Sequence, residues 1–282
     1  MAEILKGKPV ADAMIARMRE TAAALREKGV DPTLCVVRIG ERADDLSYEK
    51  GVVKRCSEVG VTLKQLILPE DVSQAALEAA FCTVNEDPAV HGILLFRPLP
   101  KHLDAERIRR LFDPRKDIDG WTDGSLAGVY ANTDLGFAPC TAQAVLELLR
   151  FYGIDPKGKR AVVIGRSLVI GRPVSMLLMH ANATVTTCHT RTPDVPSIAK
   201  DAEILVCAAG VMRSVTEAYT NPGQVVVDVG IHFDEERGKL AGDVDFDRVA
   251  PVVKAITPVP GGVGGITTCV LLDHVLKAAS AV

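Results

Sequence analysis

The chain of 282 residues is long enough to bury a substantial core and to divide into two domains. A formal net charge of −3 without basic runs sets general nucleic-acid binding aside, and no apolar run approaches the roughly 20 residues of a membrane span. Residues 1–8 carry no signal-peptide core, the seven cysteines form no C-x-x-C pair and the six histidines lack ligand spacing, which predicts a cytoplasmic protein with reduced thiols and no metal.

Apolar residues at helical spacing predict a helix over 11–28, stopped at Gly29. A strand follows over 33–40, a helix over about 45–58 ending at Gly60, and a strand over 62–69. Then come a helix near 74–84, a third strand over 92–98 and a short helix over 105–112. This alternation predicts a first α/β lobe. Residues 116–141, rich in Gly, Asp and Thr, read as a linker, and 141–149 as a helix entering the second lobe.

Residues 161–164 are four apolar residues that run into a turn bearing Gly165, Arg166, Ser167, Gly171, Arg172 and Pro173, followed by an amphipathic segment over 174–179. Strand, phosphate loop and helix in that order open a dinucleotide-binding domain, with backbone N–H groups and the helix N-terminus facing a pyrophosphate. Ser167 stands where the second glycine of G-x-G-x-x-G would fall, and alone the loop reads equally as an ordinary turn. Its surroundings favour a nucleotide: the apolar runs 183–188, 203–210 and 224–231 predict a parallel sheet buried on both faces. About 20 residues past the first glycine, where NAD sites place an acid, the chain has Cys188-His189-Thr190-Arg191-Thr192. Thr190, Arg191 and Arg166 offer partners for a 2′-phosphate, which favours NADP. A second glycine-rich loop, 257–265, includes Pro260, Gly261 and Gly262 and precedes an apolar helix over 268–279. The fold class expected is α/β: two α/β lobes, the second a Rossmann-like doubly wound parallel sheet, with a ligand-binding cleft between them. The domains would be 1–138 and 139–282, the C-terminal helix at about 268–280 being free to pack back on the first lobe.

In chain order, Lys116-Asp-Ile-Asp-Gly120, Pro139-Cys-Thr141, the Gly165–Pro173 loop, Asp228-Val-Gly-Ile231, Gly242-Asp-Val244 and residues 257–264 resemble the methylenetetrahydrofolate dehydrogenase/cyclohydrolase family of one-carbon metabolism. The resemblance covers nearly the whole chain. It implies NADP-dependent oxidation of methylenetetrahydrofolate to the methenyl form by hydride transfer, then hydrolysis to formyltetrahydrofolate, in a homodimer joined through the nucleotide domain. It implies that Asp119 grips the pterin ring, a carboxylate being able to accept two N–H bonds from the amino-pyrimidine edge. Read alone, Asp119-Gly120 is equally a turn carboxylate. The backbone at Pro260, Gly261 and Gly262 would lie beside substrate and nicotinamide. Gly230, Ile231 and Thr267 are implied cofactor contacts.

For hydrolysis the family uses a tyrosine, a lysine four residues later and a glutamine on a neighbouring strand. Tyr48 is kept, but Val52 holds the lysine position and Phe96 the glutamine position. On a regular helix Lys54 lies about 120° from Tyr48 and Lys50 about 160°. A kink at Gly51 would be needed to re-aim Lys54 as the base, and both lysines also read as solvated charges. Arg97 is a replacement cation that could fix substrate or order water, though never a base. The open alternatives are a monofunctional dehydrogenase, another NADP-dependent oxidoreductase acting on a small amino or hydroxy acid, and a non-catalytic NADP-binding regulator.

Overall fold

The computed structural model describes residues 1–281. The chain runs β1 (Glu3–Ile4), α1 (Gly7–Glu27), β2 (Thr33–Ile39), α2 (Ala43–Val59), β3 (Thr62–Leu68), α3 (Gln74–Glu86), β4 (Gly92–Leu95), α4 (Ala105–Leu111), α5 (Asp123–Ala131) and α6 (Cys140–Phe151). It continues through β5 (Arg160–Ile164), α7 (Gly171–His180), β6 (Thr184–Cys188), α8 (Val195–Lys200), β7 (Ile204–Cys207), β8 (Val225–Asp228), β9 (His232–Asp234), β10 (Lys239–Ala241), α9 (Phe246–Val249), β11 (Ala255–Ile256) and α10 (Thr267–Ser280). Two compact units result, and neither is one continuous stretch. One takes Met1–Asp12 with Thr141–Thr267, the other Ala13–Cys140 with the chain from Thr268 onward.

The second of these holds a parallel sheet of order β3-β2-β4. All seven residues of β2 are buried, as a central strand covered on both faces requires. Its one charged residue, Arg38, donates to Glu49 of α2 at 2.8 Å and to the Gly40 carbonyl. Gln65 of β3 also donates to Glu49, so the buried charges are paired and bonded on both sides. The core beneath is built on Leu77, Phe81, Ile93 and Ile108, all with no exposure. An additional bridge sets Asp117 parallel to Ile93 at the sheet edge.

The reading of 116–141 as a linker is corrected here. Thr122 caps α5 by accepting from Ser125 N at 3.1 Å, and Gly128 packs so tightly that a Cβ would stand 2.0 Å from the Leu135 carbonyl oxygen. The Gly, Asp and Thr residues that look like linker composition serve as caps and close-packing positions in a folded helical turn.

In the other unit, six parallel strands lie in the order β1-β11-β8-β7-β5-β6. This is the Rossmann-like doubly wound sheet. From β5 the chain first adds β6 on one side, then crosses back to add β7 on the other. The N-terminal β1 pairs with β11 through Glu3↔Ala255 and Ile4↔Ile256. Two residues are too few for a periodic signal, so β1 and β11 were illegible in the sequence. The 224–231 run is strand only through Asp228, and the ribbon of β9 and β10 follows it from His232.

Helix α10 belongs with the three-stranded unit and is buried on nearly all sides. Its His274 makes a 2.8 Å hydrogen bond from Nδ1 to the Ile118 carbonyl and stacks on Phe137 with centroids 4.8 Å apart. Burial lowers its pKa to about 4. The ring therefore binds a proton more readily in the unfolded chain, near 6.5, than in the folded one. Its contribution is complete above pH 6.5 and is lost as pH falls towards 4, a cost of about 3 kcal/mol. His274→Asn keeps a donor at this position without the titration. Chemical denaturation of both proteins between pH 7 and 4 should show the variant losing less stability in acid, and parallel losses would contradict the assignment.

Candidate functional site

Within the three-stranded unit, the candidate residues gather where the strands end. Glu49, Val52, Cys56 and Val59 form the buried stripe of α2, and the Arg38–Glu49 pair fixes that rotation. Tyr48, one residue before Glu49, is thereby turned outward and is 42% exposed. Its ring lies 5.7 Å from that of Phe96 at a 58° tilt, and its hydroxyl meets that of Thr268. Burial of the phenol raises its pKa above the ordinary value. Val52 is fully buried and Phe96 nearly so, so both replaced positions present hydrocarbon.

Arg97 follows directly. Its Nη2 donates to Asp119 Oδ2 at 2.9 Å, and its guanidinium carbon lies 4.6 Å from the centre of the Trp121 ring. Desolvation raises the pKa of Asp119, the Arg97 charge opposes that rise, and the neighbouring Asp117 adds to it. The Cys140 thiol, with one proton to give, lies within reach of both the Asp119 carboxylate and the Ile118 carbonyl oxygen, the latter at 3.2 Å. Burial, with Asp119 second, pushes that thiol well above its normal range, so it is no nucleophile.

The structure unites Tyr48, Arg97 and Asp119 in this unit but leaves Lys54 out. Helix α2 runs without interruption through Gly51, so no kink re-aims Lys54. The Lys54 side chain is 78% exposed and its ammonium lies 3.9 Å from Glu58. Lys50 is likewise exposed. Trp121 and Cys140 were missed as site residues. A lone tryptophan two residues past Asp119 and a cysteine in the Pro-Cys-Thr motif were the available signals.

In the six-stranded unit, the candidate cofactor residues lie at the switch point between β5 and β7, where ligands of doubly wound sheets sit. Gly165 has φ +121°, and a Cβ there would stand 2.0 Å from the Ala208 carbonyl oxygen just past β7. At Gly171 a Cβ would meet the Gly165 oxygen at 2.2 Å, so the loop closes on itself only with glycine at both places. Ser167 Oγ accepts from the backbone N–H of Ile170 at 3.1 Å and of Gly171 at 3.4 Å. The serine in the second-glycine position thus caps the start of α7, and Pro173 is buried inside its first turn. Arg166 and Arg172 are exposed beside it.

Strand β6 pairs Cys188 with Ile164, which brings the 189–192 turn to the same sheet end. That turn is closed by Thr192 Oγ1 on His189 N at 3.0 Å, leaving Thr190 and Arg191 exposed. An exposed set of cations and hydroxyls around a loop that excludes side chains suits an anionic dinucleotide. After β8, Gly230 packs on Asp243, and Ile231 is 60% exposed with its Cδ1 3.3 Å from where a Gly264 Cβ would be. Thr267 bonds the Gly264 carbonyl at 3.1 Å. Gly261 has φ +100°, and its carbonyl accepts from Gly7 N at 2.7 Å, so the N-terminal segment braces the Pro260–Gly262 turn.

Gly165→Ala tests the cradle. The added methyl forces the β5 loop off Ala208, at about 1–3 kcal/mol of strain. Melting should fall, and the rise in melting temperature that a nicotinamide dinucleotide gives the native protein should disappear. An undiminished rise would refute the placement.

Known proteins match in both units. The model of the tetrahydrofolate dehydrogenase/cyclohydrolase catalytic domain matches residues 5–119, and that of the family's NAD(P)-binding domain matches 139–282. The Bifunctional protein FolD of Carboxydothermus hydrogenoformans is 50% identical over 279 residues, covering 99% of this chain and 97% of the relative. Among solved structures, the bifunctional FolD of Campylobacter jejuni aligns with a TM-score of 0.95 at 36% identity, covering 100% of this chain and 99% of that one. The Trypanosoma brucei FolD, solved with NADP cofactor and inhibitor, gives a TM-score of 0.90 at 36% identity over 99% and 98%. With both domains matched in order and the glycine cradle in place, the chain belongs to the tetrahydrofolate dehydrogenase/cyclohydrolase family.

Proposed function

We propose that the protein oxidises methylenetetrahydrofolate to methenyltetrahydrofolate with NADP⁺ and has lost the hydrolytic second step. Asp119 accepts the amino-pyrimidine edge of the pterin, and Tyr48 lines the same pocket. The cofactor is held by Gly165, Arg166, Ser167, Gly171, Arg172 and Pro173, with Thr190 and Arg191 at the 2′-phosphate and Gly230, Ile231 and Thr267 towards the nicotinamide. Bound NADP⁺ supplies the hydride acceptor. The product cation is stabilised by its own two nitrogens, so the protein's task in this step is binding and orientation, with no acid or base required.

Hydrolysis is different, because attack by water on the methenyl carbon calls for a group that takes a proton. The observation that carries the proposal is the hydrocarbon at both replaced positions: Val52 is 0% and Phe96 is 7% exposed beside Tyr48. Arg97 cannot act as a base, and Lys54 faces solvent beside Glu58. The mostly buried cysteine thiols suit the reducing cytoplasm. A homodimer is supported by the β9–β10 ribbon, whose paired Phe233 and Leu240 are 64% and 39% exposed, since a two-stranded ribbon is marginal alone.

An absorbance progress curve with methylenetetrahydrofolate and NADP⁺, resolving NADPH from methenyl product, tests the chemistry. Methenyl product should accumulate in step with NADPH, less only what buffer hydrolyses. NADPH without that accumulation would restore the hydrolase, and no NADPH from folded enzyme would remove the dehydrogenase. Cofactor choice is tested separately: Arg191→Ser should raise KM for NADP⁺ by about tenfold, the loss of one charge-assisted phosphate contact, and leave KM for NAD⁺ nearly unchanged. Equal effects on the two cofactors would refute the 2′-phosphate role.

A further inference from the structure

Arg97 cannot serve as a base, yet it is held from two sides. One edge is on the Asp119 carboxylate at 2.9 Å, and its plane lies over the Trp121 ring at 4.6 Å. A guanidinium in this setting has little freedom to swing, because stacking and ion pairing fix different parts of the same rigid fork. We propose that Arg97 is a positioning residue of the dehydrogenase, holding Asp119 as a charged and aimed acceptor for the donor edge of the folate's amino-pyrimidine ring. This rests on the substrate reading given above for Asp119.

The charges around Asp119 explain why it needs such a partner. Asp117, two residues earlier, is a second carboxylate in a fully buried setting. Cys140, at the start of α6, and Tyr48, on α2, are neutral groups whose ionisation Asp119 itself suppresses. Arg97 is thus the cation that faces Asp119 among the groups acting on it. Arg97 Nη2 engages Oδ2 and the Cys140 thiol takes at most one further position, so a carboxylate with about four lone-pair sites keeps acceptor capacity for a ligand. Without Arg97, a half-buried carboxylate next to another carboxylate would take up a proton at a higher pH than it now does, and there turn from acceptor into partial donor, mismatched to the donor edge it must bind.

The test compares native enzyme, Arg97→Met and Arg97→Lys by the pH dependence of kcat/KM for methylenetetrahydrofolate, with KM for NADP⁺ and melting temperature measured alongside. In Arg97→Met the acid limb should move to higher pH by about one unit, so that on its acid side kcat/KM falls about tenfold. The loss should lie in KM for the folate rather than in kcat, with KM for NADP⁺ unchanged. Arg97→Lys keeps the charge and should return the acid limb towards its native position. Superimposed profiles, or a lower folate KM in Arg97→Met, would overturn the proposal, the latter by making Arg97 an obstacle to the ligand.

Trp121, the only tryptophan of the chain, gives a readout that needs no turnover. Its emission in ligand-free native enzyme should change as Asp119 takes up a proton and releases Arg97. The change should be absent in Arg97→Met and in Asp119→Asn. Absence of NADPH formation by native enzyme would defeat the substrate reading alone. An emission profile shared by native enzyme and both variants would defeat the role of Arg97.

Discussion

Asp117 is completely buried, and its carboxylate is satisfied by the N–H groups of Trp121 at 3.0 Å and Thr122 at 2.7 Å and by the Ser125 hydroxyl at 2.7 Å. A desolvated carboxylate is tolerable only when its lone pairs are taken up, so this arrangement leaves the chain little choice of path from the sheet edge at Ile93 to the start of α5. Asp119 sits inside that path, and its aim follows from Asp117. The second unit repeats the device. Asp228, at the end of β8, accepts from the N–H groups of Gly230 at 3.0 Å, Asp243 at 3.1 Å and Val244 at 2.9 Å. Each unit therefore suspends the turn that carries its candidate site residues from a buried carboxylate held largely by backbone.

The price at Asp228 is side-chain space. A Cβ on Gly242 would stand 1.9 Å from Asp228 Oδ2, and one on Gly230 would stand 2.4 Å from Asp243 Oδ1. Those glycines follow from the close approach of backbone to carboxylate. Burial still pushes Asp228 up to about 6, against the pull of its three N–H donors, with Asp243 adding to the rise. Asp243 in turn accepts from Gly210 N at 2.9 Å and meets His232 Nε2 at 2.7 Å, linking the turns after β7 and β8. The Gly230–Ile231 turn is fixed by this network before any ligand arrives, which is the preorganisation a positioning enzyme relies on.

Much of this was legible because burial leaves a pattern. The apolar runs behind β2, β4, β5, β7 and β8 read as strands, and the glycines around Ser167 read as a phosphate loop. What escaped has a common physical character. β1 and β11 are two-residue strands whose pairing spans most of the chain, and no local period records a long-range pair. The Asp, Gly and Thr of 116–141 look like solvated linker because caps and buried turn carboxylates use the same residue types. Lys54 was considered as a base through a possible kink at Gly51, and the unbroken helix with its Arg38–Glu49 anchor removes that route. Trp121 carried no motif; its importance is that it faces Arg97, which is a tertiary fact.

The two chemical steps attributed to this family place unequal demands on a scaffold, and that asymmetry accounts for the form of the site. Hydride transfer asks for held geometry, and everything that holds geometry is present: the paired Asp119, the glycine cradle and the suspended turns. Hydrolysis asks for a proton acceptor, and at the two positions where the family resemblance expects a lysine and a glutamine the chain has the buried Val52 and Phe96. Arg97, one residue past Phe96, pairs with Asp119 at 2.9 Å, so the cation at this end of the sheet holds a carboxylate in place, a task of geometry and not of proton transfer.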